Sequence, residues 1–149
     1  MKLTFGNIRK KEGEIMKVLT GELRTIQQGL GEIAMVDNIP IKPSYWLARL
    51  YDKTNSELRA LESGRMNLLK KYSVLDNEGN PKLKVDKDGN SLGEYDLTAE
   101  NKIKFEKDYA ELMKIEVDLT YNTIKIKALG TLAKVKPIVL FKLKKIIVE

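Results

Sequence analysis

An apolar stripe with helical spacing runs through the middle of the chain. Its positions lie three or four residues apart and are Leu47, Leu50, Thr54, Leu58, Leu61, Arg65, Leu68 and Tyr72. This spacing places them on one face of a helix of about 28 residues, for which Ser44 is the expected N-cap. A long apolar face predicts pairing with another helix, and Gly64 indicates a close crossing.

A second helical pattern follows Thr98, its expected N-cap, and contains the apolar row Phe105, Tyr109 and Leu112. Between the two helices, residues 76–96 are rich in Asp, Asn and Gly, and "KLKV" within them alternates like a strand. The sequence therefore predicts that residues 41–116 form an antiparallel helical hairpin with a polar β-hairpin loop at 76–96.

The polar loop also resembles the calcium-binding loop of an EF-hand. Asp86, Asp88 and Asn90 occupy the first three ligand positions of such a loop. Ser91, however, stands at the position that requires glycine, and Leu97 at that of the bidentate acid. The register that starts ten residues earlier also lacks the glycine. Turn chemistry is therefore the preferred interpretation, and a weak cation site is the alternative.

Residues 1–40 carry weaker signals. Alternation in Lys2–Ile8 predicts a short strand, and helical spacing predicts a helix from Arg9 to about Gln28. The apolar positions of this helix are Ile15, Val18, Leu19, Leu23 and Ile26. From Gly29 to Pro43, glycine and proline interrupt the helical pattern.

Residues 117–149 change to a period of two, which is typical of strands. The alternation of 117–121 is out of phase with that of Ile124, Ile126 and Ala128, so a turn or bulge is expected between them. The apolar, lysine-rich segment from Pro137 is assigned narrowly to a helix instead of a strand. Together these patterns predict one α+β domain over residues 1–149, in which a long antiparallel helical hairpin packs with a small, mostly antiparallel sheet.

Composition excludes several kinds of chemistry. The 149 residues are 42% hydrophobic and 32% charged, which is typical of a folded globular protein. The chain contains no cysteine and no histidine, which excludes disulfides and thiolate catalysis and removes the commonest general base. No glycine-rich phosphate motif occurs either. We therefore expect no enzymatic activity, no cofactor and no metal site.

The sequence also lacks signals for a membrane. Its start, "MKLTFGNIRKK", has no apolar signal-peptide core, and no run of about 18 apolar residues occurs. The expected location is the cytoplasm, without a membrane partner.

The net charge of +6 is concentrated at the C-terminus, because residues 124–149 hold seven lysines and a single acid, Glu149. This asymmetry has two interpretations. The lysines could form a surface for an acidic partner, or they could keep an apolar segment soluble and protect an edge strand.

Aromatic and basic side chains are the remaining candidates for a function. Aromatic residues cluster only at the start of the long helix, where they suit either a binding surface or the rim of the core. The candidate partner-binding residues are Tyr45, Trp46, Arg49, Tyr51, Lys134, Lys136, Lys142, Lys144 and Lys145. Rings and lysines of this kind would also suit a nucleotide or a nucleic acid.

Three stretches carry a resemblance to a known family. They are "IKPSYWLARLYDKTNSELRALESGRMNLLKKYSVLDNEGNPKLKV", "KFEKDYAELMKIEVDLTYNTIKI" and the short apolar C-terminal segment. Their shared features are Lys71-Tyr72 at the end of a helix, a D-x-x-G-N loop at residues 76–80 and a strand starting at Glu116. From Ile41 onward, the chain thus resembles small uncharacterised proteins encoded by bacteriophages and prophages of Gram-positive bacteria. The resemblance implies a phage origin and no enzymatic role, and it supplies no site residues.

The preferred hypothesis is a non-enzymatic phage protein that binds a host or phage macromolecule; inhibition of a host machine or defence system fits this description. One alternative is a virion or tail-assembly component that forms homo-oligomers. The other is a nucleotide- or nucleic-acid-binding protein. The expected partners are therefore a host or phage protein and a second copy of the chain, in the bacterial host cytoplasm or the virion.

Overall fold

The computed structural model describes residues 13–149. Its elements are β1 (Glu14–Leu19), α1 (Leu23–Ala34), α2 (Ile41–Tyr72), β2 (Leu83–Val85), β3 (Ser91–Tyr95), α3 (Ala99–Met113), β4 (Glu116–Tyr121), β5 (Ile124–Lys125), α4 (Pro137–Lys142) and β6 (Ile147–Val148). The predicted α+β class is confirmed. Within this part of the chain the strands form three two-stranded sheets, two of them antiparallel. The strand predicted at Lys2–Ile8 lies outside the described residues.

The chain divides into two compact units. The first unit joins the described residues up to Leu58 with Glu116–Glu149, and the second unit is Arg59–Ile115. Helix α2 begins in the first unit and ends in the second. The prediction of one domain for the whole chain stays a prediction.

An antiparallel ribbon of β1 and β4 forms one side of the first unit. Met16 lies opposite Leu119 in the ribbon, and both side chains are buried, as is Val18. Ile15, on the other face, is 67% exposed. This alternation is the period that a strand imposes. The helix predicted from Arg9 to about Gln28 is therefore wrong over β1, whose apolar residues pair across a ribbon.

Helices α1 and α2 supply half of the buried core residues that lie outside the ribbon. Between them, Gln27 Nε2 donates to Asn55 Oδ1 at 2.7 Å. Thr54 interrupts the apolar stripe of α2, and its buried hydroxyl donates to the carbonyl oxygen of Leu50 at 2.8 Å, so no polar atom is left unsatisfied there. The buried apolar residues of these two helices in this unit are Leu23, Ile26, Leu30, Ile33, Leu47 and Leu50.

The C-terminal segment completes the same core. Helix α4 begins with Pro137 in its first turn, as predicted, and β6 pairs in parallel with β5. The strand-like alternation predicted for Ile124, Ile126 and Ala128 is wrong beyond β5. Residues 126–129 instead form a 3₁₀ turn that buries Leu129. The segment is a core element whose buried residues are Val139, Leu143, Ile146 and Ile147.

Two predicted helix boundaries are wrong. Helix α1 continues through Gly29, because this glycine lies in close contact with α4: an added Cβ would be 2.9 Å from Cγ of Leu143. Helix α2 begins at Ile41, ahead of the expected cap Ser44. Pro43 is accommodated in the first turn, where a backbone N–H has no intrahelical partner.

The second unit contains the predicted antiparallel helical hairpin. Tyr72 at the end of α2 donates its hydroxyl to Asp108 Oδ2 at 2.5 Å, and Asn101 Nδ2 donates to the Tyr72 carbonyl at 3.1 Å. Farther along, a Cβ on Gly64 would be 3.1 Å from Cδ2 of Leu112. The close crossing predicted at Gly64 is therefore confirmed.

Burial in this hairpin is sparse. Leu61 and Leu69 are buried, whereas α3 has no buried residue. Arg65, the charged position of the stripe, donates to both oxygens of Glu62 at 2.6 and 3.0 Å. Because every position of the α2 stripe is buried or half-buried within the chain, the stripe no longer argues for a homo-oligomer, which stays a prediction.

The connection between α2 and α3 is the predicted polar β-hairpin, built from two turns of the same chemistry. Asp76 and Asp86 each accept, through Oδ1, the N–H groups two and four residues further on, at 2.8–2.9 Å. Gly79 and Gly89 both adopt a φ of +81°, a conformation that suits glycine. The D-x-x-G-N turn is thus repeated ten residues apart, which the pattern analysis did not recognise.

Candidate functional site

At the start of α2, some of the predicted aromatic and basic residues are in contact. Tyr45 meets Trp46 edge to face with ring centroids 5.1 Å apart, and the Arg49 guanidinium lies 5.6 Å from the Trp46 ring centroid. Tyr51 is not part of this cluster and packs against the core. A Cβ added at Gly31 would lie 3.9 Å from Cε2 of Tyr51. The structure therefore brings together three of the four predicted residues.

Three of the predicted lysines lie at the end of α4 or just after it. Lys142 forms an ion pair with Glu32 at 2.6 Å, and Lys145 lies 4.0 Å from Glu22. The Lys144 ammonium lies 4.8 Å from the ring centroid of Phe141. Surface ion pairs of this kind contribute at most about 1 kcal/mol, so they hold the lysines weakly.

These lysines form the rim of a concave surface, which we call the α1–α4 groove. It has a volume of about 310 Å³ and is lined by Met16, Glu22, Thr25, Ile26, Phe141, Lys142, Lys144, Lys145 and Ile146. Its floor is apolar and its rim is mostly basic. Phe141 lines the groove, and its side chain is 65% exposed.

Lys134 and Lys136 lie in a different hollow, beyond the end of α1. This hollow has a volume of about 640 Å³ and contains the exposed side chains of Met35 and Leu132. The five predicted lysines therefore belong to two surfaces of the first unit and do not form a single basic patch.

A third concave surface, the helix–ribbon pocket, lies between α2 and the end of the β1–β4 ribbon. Its volume is about 330 Å³, and its lining residues are Gly13, Trp46, Arg49, Leu50, Lys53, Thr120, Tyr121 and Asn122. Gly13 has a φ of +80°, and a Cβ there would be 3.0 Å from Cγ2 of Thr120. The left-handed conformation and the close contact together explain glycine at this position.

One titratable group that lines this pocket, Tyr121, has a shifted pKa. Burial raises the pKa of Tyr121, and the Glu14 carboxylate, which accepts a hydrogen bond from its hydroxyl at 3.1 Å, raises this pKa further. A tyrosine whose pKa is raised stays protonated near neutral pH and is a poor base. Among residues 13–149, no group of three or more acids could hold a metal ion.

Two contributors to these surfaces were missed by the sequence analysis. Lys53 follows Arg49 by four residues, so a helical projection would have placed both on one face. Phe141 belongs to the apolar segment from Pro137, and only the structure shows that its ring lies outside the core.

Comparisons of this chain with protein-family models, with curated proteins and with solved structures find no match. The resemblance to a phage family therefore stays a prediction. In the part of the chain that the structure describes, no helix has both the length and the apolar character needed to span a membrane.

Proposed function

We propose that this chain is a non-catalytic phage protein that binds an acidic amphipathic helix of a host or phage protein through the α1–α4 groove. The observation that carries the proposal is Phe141, which is 65% exposed beside the basic rim and apolar floor of the groove. A host partner implies action in the bacterial cytoplasm. Occupation of a helix that a host machine or defence system needs would inhibit that system.

The chemistry of the groove suits both faces of such a helix. Met16, Ile26 and Ile146 make an apolar floor, against which the apolar side chains of a partner helix would pack. The rim carries three lysines and one acid, Glu22. Complementary charge increases the association rate and disfavours wrong partners, whereas an aromatic anchor contributes much of the affinity.

Lys144 is the rim residue best placed to contact a carboxylate. Its ammonium group lies against the ring of Phe141. Unlike Lys142 and Lys145, it has no carboxylate within 4.0 Å among the described residues. Binding of an acidic side chain at Lys144 would therefore break no existing ion pair.

The test compares tagged wild-type protein with Phe141→Ala and Lys144→Glu for capture of proteins from a bacterial host lysate. The bound region of the captured protein is then made as a peptide, and its affinity is measured by fluorescence anisotropy. Loss of a hot-spot ring costs about 2 kcal/mol, so Phe141→Ala should weaken binding about 30-fold. Lys144→Glu should weaken it less, and its effect should shrink as salt increases.

Lys102→Glu is the matched control, because Lys102 is an exposed lysine of α3 in the second unit. It should bind the peptide like the wild type. Equal binding by Phe141→Ala, with its circular dichroism unchanged, would refute the proposal. So would a captured segment that is not acidic.

A further inference from the structure

The helix–ribbon pocket is a second, independent candidate for binding. Its volume of about 330 Å³ lies within the range of small-ligand pockets, roughly 300–1,000 Å³. It shares no lining residue with the α1–α4 groove. Its ligand can therefore be tested without reference to the proposed function.

Two cations face this pocket. Arg49 and Lys53 lie four residues apart on α2, so they are neighbours on one face of the helix. Lys53 Nζ donates to the carbonyl oxygen of Thr120 at 3.0 Å, which directs the ammonium group toward the ribbon. Like charges at this spacing repel each other, and an anion bound between them would relieve that repulsion.

Carboxylates do not neutralise these cations. Among the described residues, no acid lines the pocket, and neither Arg49 nor Lys53 has an acidic partner within 4.0 Å. Glu14, at the adjoining end of β1, accepts hydrogen bonds from the hydroxyls of Tyr121 and Thr123 at 3.1 and 2.9 Å. The guanidinium fork of Arg49 is thus available for a phosphate or carboxylate.

The remaining walls add an aromatic surface and polar groups. Trp46 lines the pocket and holds the Arg49 guanidinium 5.6 Å from its ring centroid. A guanidinium carries five N–H donors, so Arg49 can contact the ring and still donate to an anion. Asn122 adds a side-chain amide to the opposite wall, where it can donate or accept.

We propose that the helix–ribbon pocket binds a small organic phosphate that carries a planar ring, the chemistry of a nucleoside monophosphate. Arg49 and Lys53 bind the phosphate, and Trp46 contacts the ring. A simple inorganic anion would use the two cations only, and an uncharged nucleoside would use the aromatic wall only. Both are expected to bind more weakly than the combined ligand.

Isothermal titration calorimetry of the full chain at low salt tests this assignment. The probes are the four common ribonucleoside 5′-monophosphates, the corresponding nucleosides and inorganic phosphate. At least one nucleotide should bind ten times more tightly than its nucleoside and than phosphate. Arg49→Ala should weaken nucleotide and phosphate binding at least tenfold. Trp46→Leu should weaken the binding of nucleotide and nucleoside and leave phosphate binding unchanged.

Matched variants keep the result interpretable. Lys42→Ala removes an exposed lysine of the same helix and should leave nucleotide binding unchanged. Phe141→Ala changes the α1–α4 groove and should also leave it unchanged, which separates this test from that of the proposed function. The assignment is overturned if folded wild-type protein binds no nucleotide at millimolar concentration, or if Arg49→Ala binds nucleotide as tightly. Binding of a single-stranded DNA dodecamer without any binding of mononucleotides would also overturn it.

Discussion

The two units of the chain are held together by different means. In the first unit, a cluster of fifteen buried apolar residues, counted over residues 13–149, draws on strands and helices distant in sequence. In the second unit, Leu61 and Leu69 are the buried apolar residues, and most of the other defined contacts are local ones such as caps, turns and side-chain pairs.

This difference indicates how stability should be distributed. Each fully buried leucine or isoleucine contributes about 1.5–3 kcal/mol, whereas each cap or local hydrogen bond contributes about 1 kcal/mol. The first unit should therefore be sensitive to single core substitutions. The second unit should lose stability in smaller steps.

The largest expected effect is that of Leu143→Ala in the first unit. Leu143 is completely buried, so its truncation should lower the free energy of unfolding by about 3–5 kcal/mol. Leu112→Ala, at a half-buried position of α3, should cost about 1 kcal/mol. Urea unfolding followed by the fluorescence of Trp46, the only tryptophan, reports on the first unit, and far-ultraviolet circular dichroism reports on both. Equal costs for the two substitutions would contradict the comparison.

The fold was predictable where local chemistry and long-range packing agree. The helix of residues 41–72, the Thr98 cap, the polar hairpin and the α4 helix follow from periodicity and turn residues. The helix predicted over β1 was wrong because the segment fits two periods. Ile15, Val18 and Leu19 have helical spacing, whereas Met16 and Val18 have the two-residue spacing of a strand. Only the partner strand β4 decides between the two, and it lies about a hundred residues away.

The candidate sites were less predictable than the fold. Sequence proximity grouped Tyr45, Trp46 and Arg49, and the structure also brings them together. Trp46 and Arg49 lie three residues apart, which places them on one face of α2. It also grouped lysines that the structure assigns to separate surfaces. Lys53 donates to Thr120 of β4, and Phe141 lines a groove together with residues of α1. Single-sequence patterns carry no signal for such long-range neighbours.

The second prediction uses two glycines within helices, Gly29 and Gly64, each of which lies in close contact with a leucine. Gly29→Ala would place a methyl group 2.9 Å from the buried Leu143 side chain. This overpacking costs about 1–3 kcal/mol and should exceed the gain of about 1 kcal/mol in helix propensity. Gly64→Ala meets Leu112 at 3.1 Å, but this half-buried side chain can rotate away. Here the propensity gain should prevail, and the variant should be stabilised by up to about 1 kcal/mol.

Thermal and urea unfolding of both glycine variants measure these changes. The informative outcome is the sign, since the comparison between the units requires opposite signs. Destabilisation of similar size by both substitutions would show that the second unit is packed as tightly as the first.

The third prediction concerns the cap of α3. Thr98 Oγ1 accepts the N–H of Asn101 at 3.1 Å, and Thr98→Ala removes this bond at a cost of about 1 kcal/mol. Thr98→Ser keeps the hydroxyl and should retain most of the stability. Amide hydrogen exchange of Asn101 should accelerate in the alanine variant alone. Unchanged exchange in that variant would argue against a role for the cap in the second unit.

The smallest expected effect is the pH dependence of the Asp86 turn in the second unit. The backbone N–H of Asn90, and then that of Asp88, lowers the pKa of Asp86 below its ordinary value. A carboxyl whose pKa is lower in the folded state stabilises that state above its unfolded pKa. This contribution is lost as the pH falls through the folded pKa.

Asp86 is fully exposed, so the effect on global stability should be slight, and a local probe is needed. The amide resonance of Asn90, followed by nuclear magnetic resonance from pH 6 to pH 2, should shift with a midpoint below the ordinary value for aspartate. Asp86→Asn should abolish this titration while leaving the fluorescence of Trp46 in the first unit unchanged. A midpoint at or above the ordinary value would contradict the turn geometry. Such a result would also show that this hydrogen-bonded turn is not one of the local contacts that stabilise the second unit.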